Sequence, residues 1–292
     1  MAFACIDVGS NTTRLLVADV RDGRLRELYA ERVFTRIGKN LLDHGEVEPA
    51  KVAEHALVVA SQADTARELG AIGIDVVGTA VVRQAPNAAD LVAAVDETCG
   101  LPMRILEARE EARLSFAGAV ATHDAPVDGT LAVLDVGGWS TEVALGTAAG
   151  GITWWESFPL GSGLLADLHL RSDPPDREDV ENIRAHVEEV LDGLDLSHAE
   201  GAIAVGGAAG SLRRLVGRDL VPERLARCLD ILLANRAADV AAHVDLHQER
   251  VRLMPAGVIV VSELVRRLAV PLELGRGGLG EGVVMALARA AQ

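Results

Sequence analysis

The chain has 292 residues, 49% of them hydrophobic and only 3% aromatic, so it is globular, long enough for two cores, and packed mainly with Ala, Val, Leu and Ile. A formal net charge of -15 argues against broad, sequence-independent binding of nucleic acid, which needs basic surface to displace counterions, but a small anionic substrate can still be held by local donors. Cys5, Cys99 and Cys228 show no paired spacing, and neither a signal-like start nor a bilayer-length apolar run is seen, so a reducing cytoplasm and no membrane insertion are expected.

In chain order, apolar runs at 2–8 and 13–20 predict two strands joined by a polar turn, an opening hairpin. Val52, Ala56, Val59, Ala63 and Ala66 recur at helical spacing within 48–69, and a buried strand is expected at 74–77. A helix over 88–99, a strand over 103–106 and a helix over 110–120 follow, then a polar stretch through Asp128 that reads as a domain boundary. Strands at 131–136 and 141–145 flank a second glycine-rich turn and repeat the opening hairpin, which suggests two similar lobes. Further on, a helix over 177–194, a strand over 202–205 and a glycine turn leading into a helix near Ser211 are expected. Pro222 opens a helical segment toward Ala242, Pro255 heads a helix through Leu268, and a short strand at 272–274 precedes a closing helix over 282–291.

Four segments carry residues suited to phosphate chemistry. In DVGSNTTR, Gly9 permits close backbone approach, Ser10, Asn11 and Thr12 donate hydrogen bonds, Arg14 adds charge, and Asp7 is able to hold a hydrated Mg²⁺; the same residues also make an ordinary hairpin turn. LDVGGWSTE repeats the pattern with Asp135, Gly137, Gly138, Ser140 and Thr141 and adds Glu142; two such turns would face each other across a cleft holding one metal and one phosphate chain. Glu110 and Glu111 are adjacent at a helix start, so they point different ways; one is expected to face solvent, and a carboxylate over a phosphate site suits a general base, although acidic residues also favour a first helical turn for dipole reasons alone. Arg83 follows a strand, as do Gly206 and Gly207, and strand, Gly-Gly turn and helix serve equally as an anion site or as tight packing.

Taken in order, these segments resemble the exopolyphosphatase and guanosine pentaphosphate phosphatase family. DVGSNTTR is similar to its first phosphate loop, GTAVVRQAPN to its arginine segment, EEARLSF to its catalytic helix and LDVGGWSTE to its second phosphate loop; FPLGSGLL, SDPP, VGGAAGSL, MPAGVIV and GLGEGV follow in the family's order. The resemblance implies an α/β, two-lobed actin-like fold of duplicated ribonuclease H-like domains, shared with sugar kinases and chaperone ATPases. The lobes are expected at 1–124, joined by the closing helix 282–292, and at 125–281. It further implies that Glu111 activates water and that Asp135 and Glu142, assisted by Asp7, serve Mg²⁺ or Mn²⁺. Phosphate falls to Gly9, Ser10, Asn11, Thr12, Gly137, Gly138, Ser140 and Thr141, to the third glycine loop at Gly206 and Gly207, and to Arg14 and Arg83. The implied partners are inorganic polyphosphate or guanosine pentaphosphate, and a second copy in a homodimer.

The sequence departs from the family pattern in places. Trp139 stands where a third glycine is usual; an indole there is expected to crowd the phosphate and, if the position needs positive φ, to carry about 1–3 kcal/mol of strain or force a different loop path. Ala208 replaces a common hydroxyl, Gly280 stands where Arg is frequent, and the added helical domain of longer members is expected to be absent. The competing readings are a catalytically weak phosphate or nucleotide sensor and a small-molecule kinase; EEAR fits hydrolysis better than transfer to a hydroxyl.

Overall fold

The computed structural model describes residues 1–21, 23–124 and 129–291. It divides into two compact units, Met1–His123 with Gly277–Gln292, and Asp124–Arg276. Part of the polar stretch read as a boundary, 125–128, lies outside the described residues.

In the first unit, β1 (Ala2–Val8), β2 (Thr12–Arg21) and β3 (Arg24–Phe34) form an antiparallel meander, followed by α1 (Ile37–His44) and α2 (Pro49–Glu68). Then come β4 (Ala71–Gly78), α3 (Ala80–Gln84), α4 (Ala88–Cys99), β5 (Met103–Ile105) and α5 (Ala108–Thr122). The sheet order is β3-β2-β1-β4-β5, with β4 parallel to β1 and β5 parallel to β4. Crossover helices must cover the faces of a parallel sheet, so β1 is apolar on both sides: Phe3 and Cys5 join Leu16, Val77, Leu106 and Leu114 in one core cluster, while Ala4 and Ile6 are buried on the opposite face.

The second unit repeats the plan. β6 (Leu131–Val136), β7 (Thr141–Thr147) and β8 (Gly151–Phe158) form its meander, and α6 (Ser162–His169) and α7 (Arg177–Val190) follow. After β9 (Gly201–Val205) and α8 (Gly206–Val216) come α9 (Pro222–Ala234), α10 (Ala237–Val244), α11 (Gln248–Arg252), α12 (Met254–Arg267) and β10 (Leu272–Leu274). The order β10-β9-β6-β7-β8 is the first sheet's order read from the other edge, again with parallel partners on one side of the first strand and antiparallel ones on the other. α12 is buried over most of its length, from Met254 to Val261, and fills the core of this unit. Finally α13 (Leu279–Ala290) returns to the first unit and places Leu279, Val283, Val284 and Ala288 in its core cluster.

The α/β class and the two hairpins expected from the sequence are found. Three differences have physical causes. β3 and β8 are edge strands, the first mostly exposed and the second a mixture of half-buried and exposed residues before Phe158, and neither shows the apolar alternation that marks a strand with one buried face. The helix expected from Pro222 to Ala242 is two helices, because Asn235 is extended and its amide donates to the Ile231 carbonyl at 2.9 Å, closing α9. α7 stops at Val190 instead of continuing to Leu194, because the chain turns through Gly193, whose φ of 76 is left-handed.

Candidate active site

In the first unit the carboxyl ends of β1, β4 and β5 lie side by side, the usual place for ligands in open α/β sheets. They are tied together there: Thr79 N–H donates to the Val8 carbonyl at 3.4 Å and Leu106 N–H to the Gly78 carbonyl at 2.9 Å. Each end carries one of the expected segments. β1 leads into the turn at Gly9, β4 into α3 with Arg83, and β5 into α5 with Glu111.

The turn after β1 is closed by Gly9 N–H donating to the Thr12 carbonyl at 3.2 Å. Its outer side is clamped by Thr35 and Arg36 N–H on the Asn11 carbonyl and by Gly38 N–H on the Ser10 carbonyl. Ser10 is 5% exposed, and its Oγ is buried without a hydrogen-bond partner among the described residues, an unmet polar group that calls for a ligand or water.

Glu111 is buried in the first turn of α5, and Arg83 Nη1 donates to its Oε2 at 3.0 Å while also bonding the Leu106 carbonyl. The neighbouring Glu110 points elsewhere, to Arg104 at 3.0 Å, whose guanidinium also holds Asp75 at 2.7 Å. The adjacent acids thus divide as the helical geometry requires: one in a partly exposed ion network, the other inside. Arg14 is the register partner of Asp7 across β1 and β2, and its Nη2 donates to Glu281 at 2.7 Å. Burial pulls the Arg14 guanidinium down, but the charge and hydrogen bond of Glu281, with Asp7 behind them, outweigh it and leave its pKa raised.

The second unit contains the same turn in detail. Gly137 N–H donates to the Ser140 carbonyl at 3.0 Å, as Gly9 does to Thr12. The Trp139 carbonyl accepts from Gly161 N–H at 3.1 Å, as the Asn11 carbonyl accepts from Thr35, and the Gly138 carbonyl accepts from Gly163 and Leu164, as the Ser10 carbonyl accepts from Gly38. Trp139 is therefore the counterpart of Asn11. It is 7% exposed and lacks the left-handed backbone, which only Arg36 and Asp245 adopt among the described non-glycine residues. The backbone strain considered for Trp139 is absent, because its φ lies outside the left-handed region.

Asp135 on β6 and Glu142 on β7 are direct register partners, both buried, and Glu142 accepts from Ser157 Oγ at 2.7 Å. Gly206 begins α8 with φ 90, and a Cβ there would lie 2.3 Å from Asp135 Oδ1 and 2.7 Å from the Val136 carbonyl, so only glycine fits beside the aspartate. Gly207 presents its carbonyl to Arg250 at 3.0 Å and to Ser211 Oγ at 2.7 Å. Thr141 is fully buried, and its hydroxyl proton goes to the Leu160 carbonyl at 2.6 Å, tying the turn to the segment before α6. Arg250, Glu281 and Leu160 were not assigned a role from sequence: each meets its partner through packing, and although Leu160 lies in FPLGSGLL and Glu281 in GLGEGV, segments that the resemblance picked out, Arg250 lies in none.

Among the described residues no group of three or more His, Cys, Asp or Glu side chains is arranged to hold a metal ion. The donor set fits a different mode: two buried carboxylates on adjacent strands suit a hydrated Mg²⁺ completed by phosphate oxygens of a substrate, the way this ion is commonly bound.

Two copies of one five-stranded sheet, each opening its meander on the same glycine turn, define the duplicated actin-like class of α/β proteins. The sequence profile of the Ppx/GppA phosphatase family matches residues 16–290, and the chain belongs to that family, a family of phosphatase hydrolases. It is 28% identical over 295 residues to Exopolyphosphatase 2 of Mycobacterium tuberculosis, covering 91% of this chain and 90% of the relative. Its fold is similar to that of an exopolyphosphatase from Cytophaga hutchinsonii, with TM-score 0.88 at 19% identity over 99% of this chain and 98% of that one. It is also similar to the Aquifex aeolicus Ppx/GppA family member, with TM-score 0.81 at 21% identity over 100% and 99%. No helix among the described residues is long and apolar enough to cross a membrane.

Proposed function

We propose that this chain releases the terminal phosphate of inorganic polyphosphate, or the 5′ γ-phosphate of guanosine pentaphosphate, by attack of a water molecule activated by Glu111. The observation that carries the reading is the buried Glu111 carboxylate at the carboxyl ends of β1, β4 and β5, oriented by Arg83 at 3.0 Å, in the same unit as the Gly9 turn with its orphaned Ser10 hydroxyl. Phosphoanhydride hydrolysis needs a positioned proton acceptor for the water and fixed donors for the phosphoryl oxygens. Glu111 takes the proton, and Ser10, Asn11, Thr12 and the backbone of Gly9 supply donors within the first unit; Gly137, Gly138 and Ser140 offer the same kind of donors in the equivalent turn of the second unit. Arg83 fixes the carboxylate and adds positive charge for the substrate.

A Mg²⁺ or Mn²⁺ held by Asp135 and Glu142 of the second unit would neutralise phosphate charge when bound. The names of relatives such as the mycobacterial exopolyphosphatase support polyphosphate as the first substrate to try.

The test is phosphate release from tripolyphosphate, long polyphosphate and guanosine pentaphosphate, with and without Mg²⁺, by the wild type, Glu111→Ala and Glu111→Gln. Loss of a general base is expected to lower the rate by about 10²–10⁴-fold in both variants. Equal rates in wild type and variants remove Glu111 from the chemistry.

A further inference from the structure

Glu281 is 3% exposed, and both of its carboxylate oxygens are engaged. Oε2 accepts from Gly278 N–H at 2.7 Å, closing the start of α13, and Oε1 accepts from Arg14 Nη2 at 2.7 Å. The two ends of the ion pair are 267 residues apart in the chain. α13 is seated without play on α5: a Cβ on Gly118 would meet the Gly278 carbonyl at 1.9 Å, and one on Gly282 would meet the Leu114 carbonyl at 2.0 Å. Glu281 is thereby held fixed against the helix that carries Glu111.

Arg14 needs such an anchor. It lies two residues after the Gly9–Thr12 turn, with Arg32 as its register partner on β3 and Asp7 as its partner on β1, so a like charge flanks it on one side. Its Nε is buried and lacks a hydrogen-bond partner among the described residues, as does Ser10 Oγ of that turn. Two orphaned donors, one in the turn and one just beyond it on β2, are what a site prepared for an anion presents before the anion arrives.

We infer that Glu281 is a positioning residue that fixes the Arg14 guanidinium at the first turn, so that its remaining donors are directed to substrate phosphate. The inference rests on the reading above that this turn binds phosphate. A carboxylate acting only through Arg14 governs how tightly substrate is held, not the proton transfer at Glu111.

Tripolyphosphate hydrolysis and calorimetric binding of tripolyphosphate are measured for wild type, Glu281→Gln, Arg14→Gln and the double variant, with melting temperature as the control of folding. Glutamine keeps the acceptor for Gly278 N–H and removes the charge that orients Arg14. Glu281→Gln is expected to raise KM and Kd about fivefold or more, with kcat within about threefold of wild type, and the double variant is expected to match Arg14→Gln. An unchanged KM in Glu281→Gln, or a double variant several-fold weaker than Arg14→Gln, overturns the inference. The double variant leaves no buried charge unpaired, so it decides the coupling whatever the stability of Glu281→Gln alone. A wild type that releases no phosphate from any of the polyphosphates defeats the functional reading instead, and the binding data then show on their own whether Glu281 and Arg14 act as one.

Discussion

His55 shows how a single buried side chain carries a pH dependence separate from the catalytic groups. It is fully buried, its Nδ1 lies 2.9 Å from the Lys51 carbonyl, and its Nε2 has no hydrogen-bond partner among the described residues, so the ring is held neutral with the proton on Nδ1. Burial lowers its pKa below the usual histidine value, only partly offset by the Lys51 carbonyl and the charge of Glu54. The unfolded chain then binds the proton more readily than the folded one. The stability contribution is complete above about pH 6.5 and is lost as the pH falls toward the folded value. Urea unfolding at pH 7, 6 and 5 should show wild type losing stability relative to His55→Leu, by at most about 1.4 kcal/mol per pH unit. Parallel pH profiles for the two proteins are the contrary result.

The turn between β6 and β7 is an element whose shape comes from its neighbours. α6 begins against it so closely that a Cβ on Gly161 would lie 2.2 Å from both Gly138 C and Trp139 N. Gly161→Ala must therefore move backbone, and it is expected to cut phosphate release by about 10²-fold, the cost of misplacing donors by the order of 1 Å. Steady-state kinetics check this, and a normal rate shows that the turn's position is immaterial. Trp139 is a buried residue of the same turn without left-handed backbone, so Trp139→Gly removes a buried indole rather than relieving a strained loop. A loss of about 3–5 kcal/mol in the second unit is expected, with no gain in hydrolysis. Thermal unfolding and rate together decide it: a faster enzyme at unchanged stability favours the crowded-phosphate reading of the sequence.

For the whole molecule, the last helix belongs to the first unit. Leu279, Val283, Val284 and Ala288 complete a core cluster with Phe3, Cys5, Leu16 and Leu114, and Glu281 partners Arg14 inside it. A chain ending at Arg276 loses those side chains and exposes the face of α5 and β1 they cover. Limited proteolysis read by mass spectrometry is expected to find rapid cleavage within the first 123 residues, while fragments of the second unit persist. Equal protection of both units in the shortened chain is the result that contradicts this division.

The sequence by itself determined the two aspartate-headed turns, the buried strands before them, the helices with regular apolar spacing, and the residue types available for phosphate and water chemistry. These are legible because turn propensity and apolar periodicity act within a few residues along the chain. Only the tertiary structure decided that Arg83 meets Glu111, that Arg14 is anchored by Glu281, and that Glu110 joins Arg104. It also decided that β3 and β8 are strands at all, since an exposed edge is specified by backbone pairing to β2 and β7 and not by burial of its own side chains. The accommodation of Trp139 belongs with these, because whether a bulky side chain strains a turn depends on φ and on the cavity supplied by distant segments, neither of which is written in the local sequence.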